Sequence, residues 1–150
     1  MKATLYPLLL AMLAFVPSAK AQNVLIENGF YEEKNTGYTI YLEKIGDEEY
    51  VLFHQFSMPI KYTKEANSIK HCGIGVYYQE EGNTEEREET ICRYIRNSQN
   101  GISMADNGKN SIFFVKVKTG YHIETNCCGY LVVVRDGEKP LYNPEECSCD

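Results

Sequence analysis

Apolar and polar residues alternate along much of the chain after Tyr38, the period of a strand with one buried face. In "YTIYLEKIGDEEYVLFHQF" the alternation runs from Tyr38 to Glu43, breaks at Gly46-Asp47 and resumes from Glu49 to Phe56, which predicts a hairpin. Ile40 and Leu42 share one face of its first strand, and Thr39 and Tyr41 take the other. "GIGVYYQ" predicts a further strand with Ile74, Val76 and Tyr78 on one side. "SIFFVKVKTGYHIET" predicts a second hairpin turning at Thr119-Gly120, and "GYLVVVRDG" a last strand. Ile112 to Val115 and Leu131 to Val134 are apolar at consecutive positions, so these strands are expected to be covered on both faces.

One segment departs from the period of two. In "NTEEREETICRYIRNSQNG", Asn83 and Glu86 have capping-box spacing, acids crowd the start, and Arg93 and Arg96 sit near an Asn100-Gly101 stop. Ile91, Tyr94 and Ile95 would then share a helical face, predicting a helix laid across the sheet. "SMPIKYTKEANSIK" supplies a second, short helix with Ser57 near its cap and Pro59 in its first turn. The expected fold is α+β, mainly β: an antiparallel sheet with one or two short helices packed on it, stapled by disulfides. A β-sandwich is the alternative.

The start of the chain has another character. "MKATLYPLLLAMLAFVPSAKAQ" joins a basic Lys2, an apolar run from Leu8 to Val16 and small residues at Ala19 and Ala21. That is the anatomy of a secretory signal cleaved after Ala21, and the run is shorter than the roughly 20 residues a bilayer-spanning helix needs. Residues 1–21 are therefore expected to be a signal peptide, and 22–150 a single secreted domain without membrane insertion. Loss of Lys2 and Lys20 takes the formal net charge from −6 to −8. An acidic surface repels phosphate backbones and argues against general nucleic-acid binding; "CRYIR" is the one dense basic stretch.

Six cysteines, an even number, in an exported chain predict disulfides. No Cys-x-x-Cys redox motif and no paired zinc spacing occurs. Bridges between adjacent Cys127 and Cys128, or between Cys147 and Cys149, would be cramped. The expected pairing is Cys72 with Cys92, and Cys127 and Cys128 each with one of Cys147 and Cys149. The last two bridges would hold down "EKPLYNPEECSCD", whose prolines and acids suit neither a helix nor a central strand.

Candidate chemistry is sparse. His54, His71 and His122 are separated in sequence and lack metal-ligand spacing. His122 and Glu124 in "YHIET" fall on one strand face, an arrangement able to support acid–base catalysis in a small ribonuclease-like hydrolase. Such an enzyme also needs a cationic phosphate stabiliser, and the chain has four arginines. No nucleophile elbow, phosphate-cradling loop, calcium loop or metalloprotease motif is present, so no cofactor or metal is expected. Tyrosine is abundant and tryptophan absent; tyrosine forms both sheets and contact surfaces.

A signal segment, one compact domain and paired cysteines without a catalytic motif resemble the small secreted cysteine-rich proteins of plant-colonising fungi known as effectors. The resemblance implies a protein that binds a host target or shields the microbe and does not catalyse a reaction; the expectation is an extracellular monomer that engages a host or extracellular protein through its surface. A secreted inhibitor of host hydrolases would differ in its target alone, and a ribonuclease-like hydrolase is the enzymatic alternative.

Overall fold

The computed structural model describes residues 25–78, 86–107 and 109–149. Eight strands follow one another as β1 (Gly29–Glu33), β2 (Thr39–Lys44), β3 (Glu49–Phe53), β4 (Ile60–Glu65), β5 (Ser68–Tyr78), β6 (Glu86–Ser98), β7 (Gly101–Asp106) and β8 (Lys109–Val117). Each pairs antiparallel with its chain neighbour, and β8 returns to β1 in a register running from Phe30↔Val117 to Glu33↔Phe114, closing a barrel. A further hairpin, β9 (Tyr121–Thr125) and β10 (Leu131–Arg135), lies outside the closed sheet.

The alternating pattern produces this interior directly. Ile40 and Leu42 of β2, Tyr50 and Leu52 of β3 and Tyr62 of β4 meet Ile69, Ile95, Ile102 and Phe114 from the other side in one buried cluster. Outward positions carry charge instead, as in the ion pairs Lys61–Glu49 (2.8 Å) and Lys70–Glu65 (3.0 Å). Apolar inside and charged outside is the reverse of a lipid-facing barrel. No helix among the described residues is long and apolar enough to cross a membrane. Ile26, in the extended segment before β1, is buried with the same cluster and closes one end. Gly101 allows β7 and β8 to draw together there, because a Cβ at this position would collide with the Phe114 carbonyl.

The β9–β10 hairpin rests on the outer side of β2 and β3. Val133 N–H donates to His54 O (2.9 Å), and Val132, Val133 and Val134 are buried. Phe30, Tyr41, Phe53 and Tyr121 form a chain of ring contacts on the outer face, and the Tyr121 hydroxyl donates to Glu32 (2.8 Å). The hairpin loop is tied to the C-terminal tail by Cys127–Cys149 and Cys128–Cys147, with Cα separations of 5.4 and 5.5 Å. Buried Asn126 reinforces the junction: its Oδ1 accepts from Cys128 and Tyr130 N–H, and its Nδ2 donates to Leu141 O. All three bridges agree with the expected pairing, including Cys72–Cys92.

Several sequence expectations are corrected. The described residues contain no helix, so the fold is all-β and not α+β. Where the helix was expected, around residues 83–101, residues 86–98 form β6, which pairs with β5 over eleven rungs from Ser68↔Arg96 to Tyr78↔Glu86, and 83–85 lie outside the described residues. Helix caps and terminal charges each contribute only about 1 kcal/mol. They yield here to two hydrogen-bonded neighbours, a buried Ile95, and a disulfide between directly opposed Cys72 and Cys92 with Cα atoms 4.0 Å apart. The second expected helix is likewise β4, a turn with Ala66 at φ 52°, and the start of β5. The sandwich alternative fails because β1 and β8 are hydrogen-bonded partners within one closed sheet, not edges of two facing ones. Thr119-Gly120 does not turn a hairpin, since β8 pairs with β1 and β7 whereas β9 pairs with β10. Ile112 and Phe113, expected to be covered, are 51% and 61% exposed. The expected signal peptide, residues 1–21, lies outside the described residues.

Candidate binding site at the open end of the barrel

At the end away from Ile26, the inward rows change from apolar to polar. In an up-and-down barrel the C-terminal ends of odd strands and the N-terminal ends of even ones share a rim. That geometry gathers Tyr38, His54, Tyr62, Arg93 and Asp106 from the first and second halves of the barrel. Arg93 and Asp106 are direct partners across the β6–β7 ladder, and Arg93 Nε donates to Asp106 Oδ1 at 2.7 Å. This bond raises the guanidinium pKa further and keeps Arg93 charged.

Two tyrosines flank that pair. Tyr62 is fully buried and its hydroxyl lies within the electrostatic reach of the Arg93 guanidinium. Burial pushes the Tyr62 phenol up to about 12, against the opposing effect of Arg93, so it remains a protonated donor at neutral pH. Tyr38 is raised by burial too. Its hydroxyl meets His54 Nδ1 at 3.1 Å, while His54 Nε2 lies 3.0 Å from Met58 O. A carbonyl accepts, so Nε2 carries the proton and Nδ1 accepts from Tyr38. Burial lowers the His54 pKa and favours this neutral form.

Beside Tyr38, Arg93 and Asp106 opens a cleft of about 860 Å³, which His54 and Tyr62 do not line. Its apolar wall is Met104, Ile112, Phe113 and Phe114, and Tyr38, Arg93 and Asp106 supply the polar side. Glu33 on the rim is engaged by its own turn, accepting from Asn35 N (3.0 Å), Thr36 N (2.8 Å) and the Thr36 hydroxyl. Those bonds, the Thr36 hydroxyl foremost, hold its carboxyl below the ordinary range. A concave site with an apolar wall and a few convergent polar groups is the usual form of a small-molecule pocket, and barrel mouths are a common place for one.

His122 lies elsewhere, on the outer hairpin. Its Nε2 meets Glu124 Oε2 at 3.0 Å, so the sequence-derived pair does come together. Asp136, just beyond β10, adds a contact to Nδ1 at 2.7 Å that the sequence reading missed. With both nitrogens directed at carboxylates, the protonated ring is favoured, and its pKa is raised by Glu124 first and Asp136 second. A group raised in this way favours the folded state most fully below its unfolded pKa, and that contribution fades as pH rises through the folded value. In an NMR titration the His122 ring is expected to show a midpoint above the usual 6.5, falling back in Asp136→Asn. A midpoint at or below 6.5 in the wild type contradicts this geometry.

His71 stands beside the open-end residues, opposite Arg93 across the β5–β6 ladder and with its ring against Tyr62, and its Nδ1 donates to Lys61 O (3.1 Å). The sulfurs of Cys127, Cys128 and Cys147 lie within 4.8 Å of one another, yet each belongs to a disulfide and offers no thiolate to a metal. Of the open-end residues, Arg93 had a visible sequence signal, the basic "CRYIR" stretch; Asp106 and Tyr62 had none. No family model, curated protein or solved structure matches this chain.

Proposed function

We propose that the protein is an exported, non-catalytic binding module that engages an extracellular or host-derived partner molecule at the open end of its barrel. The observation that carries this reading is the asymmetry of the two ends. One is closed by Ile26, and the other opens as a cleft of about 860 Å³ with exposed Ile112 and Phe113 beside Arg93. Exposed apolar side chains next to polar groups of fixed geometry are what a ligand-binding surface requires. Three intramolecular disulfides fit an oxidising compartment, in keeping with export. Both ring nitrogens of His122 are already engaged by carboxylates, those of Asp136 and Glu124, which leaves neither directed at a substrate in this arrangement.

The test uses folded, disulfide-intact protein labelled for NMR and titrated with three eight-carbon amphiphiles, octanoate, octanol and octylamine. At least one is expected to shift amides of residues 33–38 and 104–114 while leaving 121–136 unmoved, with the response weakened in Phe113→Ser. RNA is expected to remain intact with wild type and with His122→Ala. Silence of the open-end amides towards all three probes overturns the reading, as does RNA cleavage by wild type that vanishes in His122→Ala.

A further inference from the structure

Glu33, on the wall of the open-end cleft, is a covered carboxylate without a counter-ion. It is 8% exposed and lies directly opposite Phe114 across the β1–β8 ladder, so the two side chains share the inner face. Asn35 N–H, Thr36 N–H and the Thr36 hydroxyl donate to its two oxygens. These donors fix the carboxylate in place and keep it ionised, and all of them are neutral. A covered carboxylate is ordinarily matched by a cation. The two cations that line the cleft are committed elsewhere: Lys34 pairs with Glu32 at 3.5 Å, and Arg93 with Asp106 at 2.7 Å.

The charge left over in the cleft is therefore that of Glu33, and it is negative. Its oxygens are not saturated. Oε2 accepts from both groups of Thr36, whereas Oε1 accepts from Asn35 N–H alone and has room for one further donor. The rest of the lining suits a guest of positive charge. Tyr38, Phe113 and Phe114 contribute three aromatic rings, whose negative faces attract cations. Tyr38 meets Phe114 edge to face, with centroids 6.4 Å apart, beside the position that Glu33 holds opposite Phe114. Met104 and Ile112, partners across the β7–β8 ladder, extend the apolar surface from there.

We propose that the open end binds a small organic cation, an ammonium group carried on an aliphatic or aromatic body. The ammonium donates to Glu33 Oε1 beside the rings of Tyr38 and Phe114, and the body runs over Met104 and Ile112 towards exposed Phe113. Charge complementarity selects this occupant over a neutral or anionic amphiphile. An alcohol gives Oε1 one hydrogen bond and leaves the carboxylate's charge unmatched, and an anion meets that charge with no uncommitted cation in the lining to offset it. The Arg93–Asp106 pair, balanced within itself, bounds the site without choosing the sign of the guest.

This inference rests on the open end being a binding site, and the experiment separates the two. Dissociation constants for octylamine, octanol and octanoate are measured by calorimetry at neutral pH on folded wild type, Glu33→Gln and Phe113→Ser, with melting temperatures taken on each. Octylamine is expected to bind wild type at least about tenfold more tightly than octanol, as charge-assisted bonds are roughly twice as strong as neutral ones, and octanoate more weakly than either. Glu33→Gln is expected to bring octylamine down to the level of octanol while octanol binding persists. Phe113→Ser, at a side chain 61% exposed, is expected to weaken octylamine and octanol by similar factors, because the two share a body. In wild type the NMR signal of the Glu33 carboxyl carbon is expected to move further with octylamine than with octanol, and this reading keeps the test decisive if Glu33→Gln folds poorly. Binding without preference for octylamine overturns the cation assignment and leaves the open-end reading standing. A preference that survives Glu33→Gln, or that moves the carboxyl signal of Asp106 in place of that of Glu33, has the same consequence. Absence of binding by any probe removes both readings together.

Discussion

Ile95→Asp is expected to unfold the domain, whereas Ile91→Asp is expected to leave it folded. Ile95 has no exposed surface and projects into the barrel interior among Ile69, Ile102 and Tyr62. A carboxylate there has no partner, and burying an unpaired charge costs about 4 kcal/mol or more, a large part of a small domain's total stability. Ile91 lies four residues earlier, past the last β6–β7 rung at Arg93↔Asp106, where β6 pairs with β5 alone opposite Gly73. It is half-buried there, and Asp should cost about 1 kcal/mol. In a helix, residues four apart lie on one face and the two substitutions would hurt alike. Urea melts followed by circular dichroism distinguish these outcomes: a large loss for Ile95→Asp with a small one for Ile91→Asp fits the barrel, and equal losses contradict it.

The second large effect is expected from the tail. Replacing Cys127 and Cys149 by alanine, or Cys128 and Cys147, should each cost about 3 kcal/mol, the chain-entropy value for loops of about 20 residues. Separations of 22 and 19 residues place both bridges at that length. The quadruple variant is expected to lose hydrogen-exchange protection in 141–149 and in the β9–β10 hairpin first. The β1–β8 ladder, closed by its own hydrogen bonds, should retain protection. Alkylation of folded wild type without reductant should label no cysteine. Unchanged melting after removal of both bridges, or labelling of the wild type, contradicts this account.

What the sequence determined by itself lies in local period and in covalent arithmetic. Ile40 and Leu42 share a face in the pattern and share the barrel interior, because side chains of a strand alternate whatever the strand pairs with. The bridges were legible because neighbouring cysteines cannot bond comfortably to each other, and because the six divide along the chain into Cys72 with Cys92 and two close pairs that bridge to one another. His122 and Glu124 met as expected because a two-residue offset on one strand already places them together. The segment around Ile91 and Ile95 was misread because capping and charge signals are local and weak. The ladder that overrules them depends on β5, and the Cys72–Cys92 bridge inferred from the same sequence already implied that pairing.

Closure and the open-end site were decided by tertiary structure. Phe30 pairs with Val117 across most of the chain, and nothing local to either residue states whether two edges meet or stay apart. Closure in turn brings Tyr38, His54, Tyr62, Arg93 and Asp106 to one rim, far apart in sequence as they are. Alternation tells that Arg93 shares a strand face with Ile95. Strand length and the register Arg93↔Asp106 set how far along the barrel that face stays dry, and so whether a charge on it is buried at a loss or held at an opening beside the Tyr62 hydroxyl.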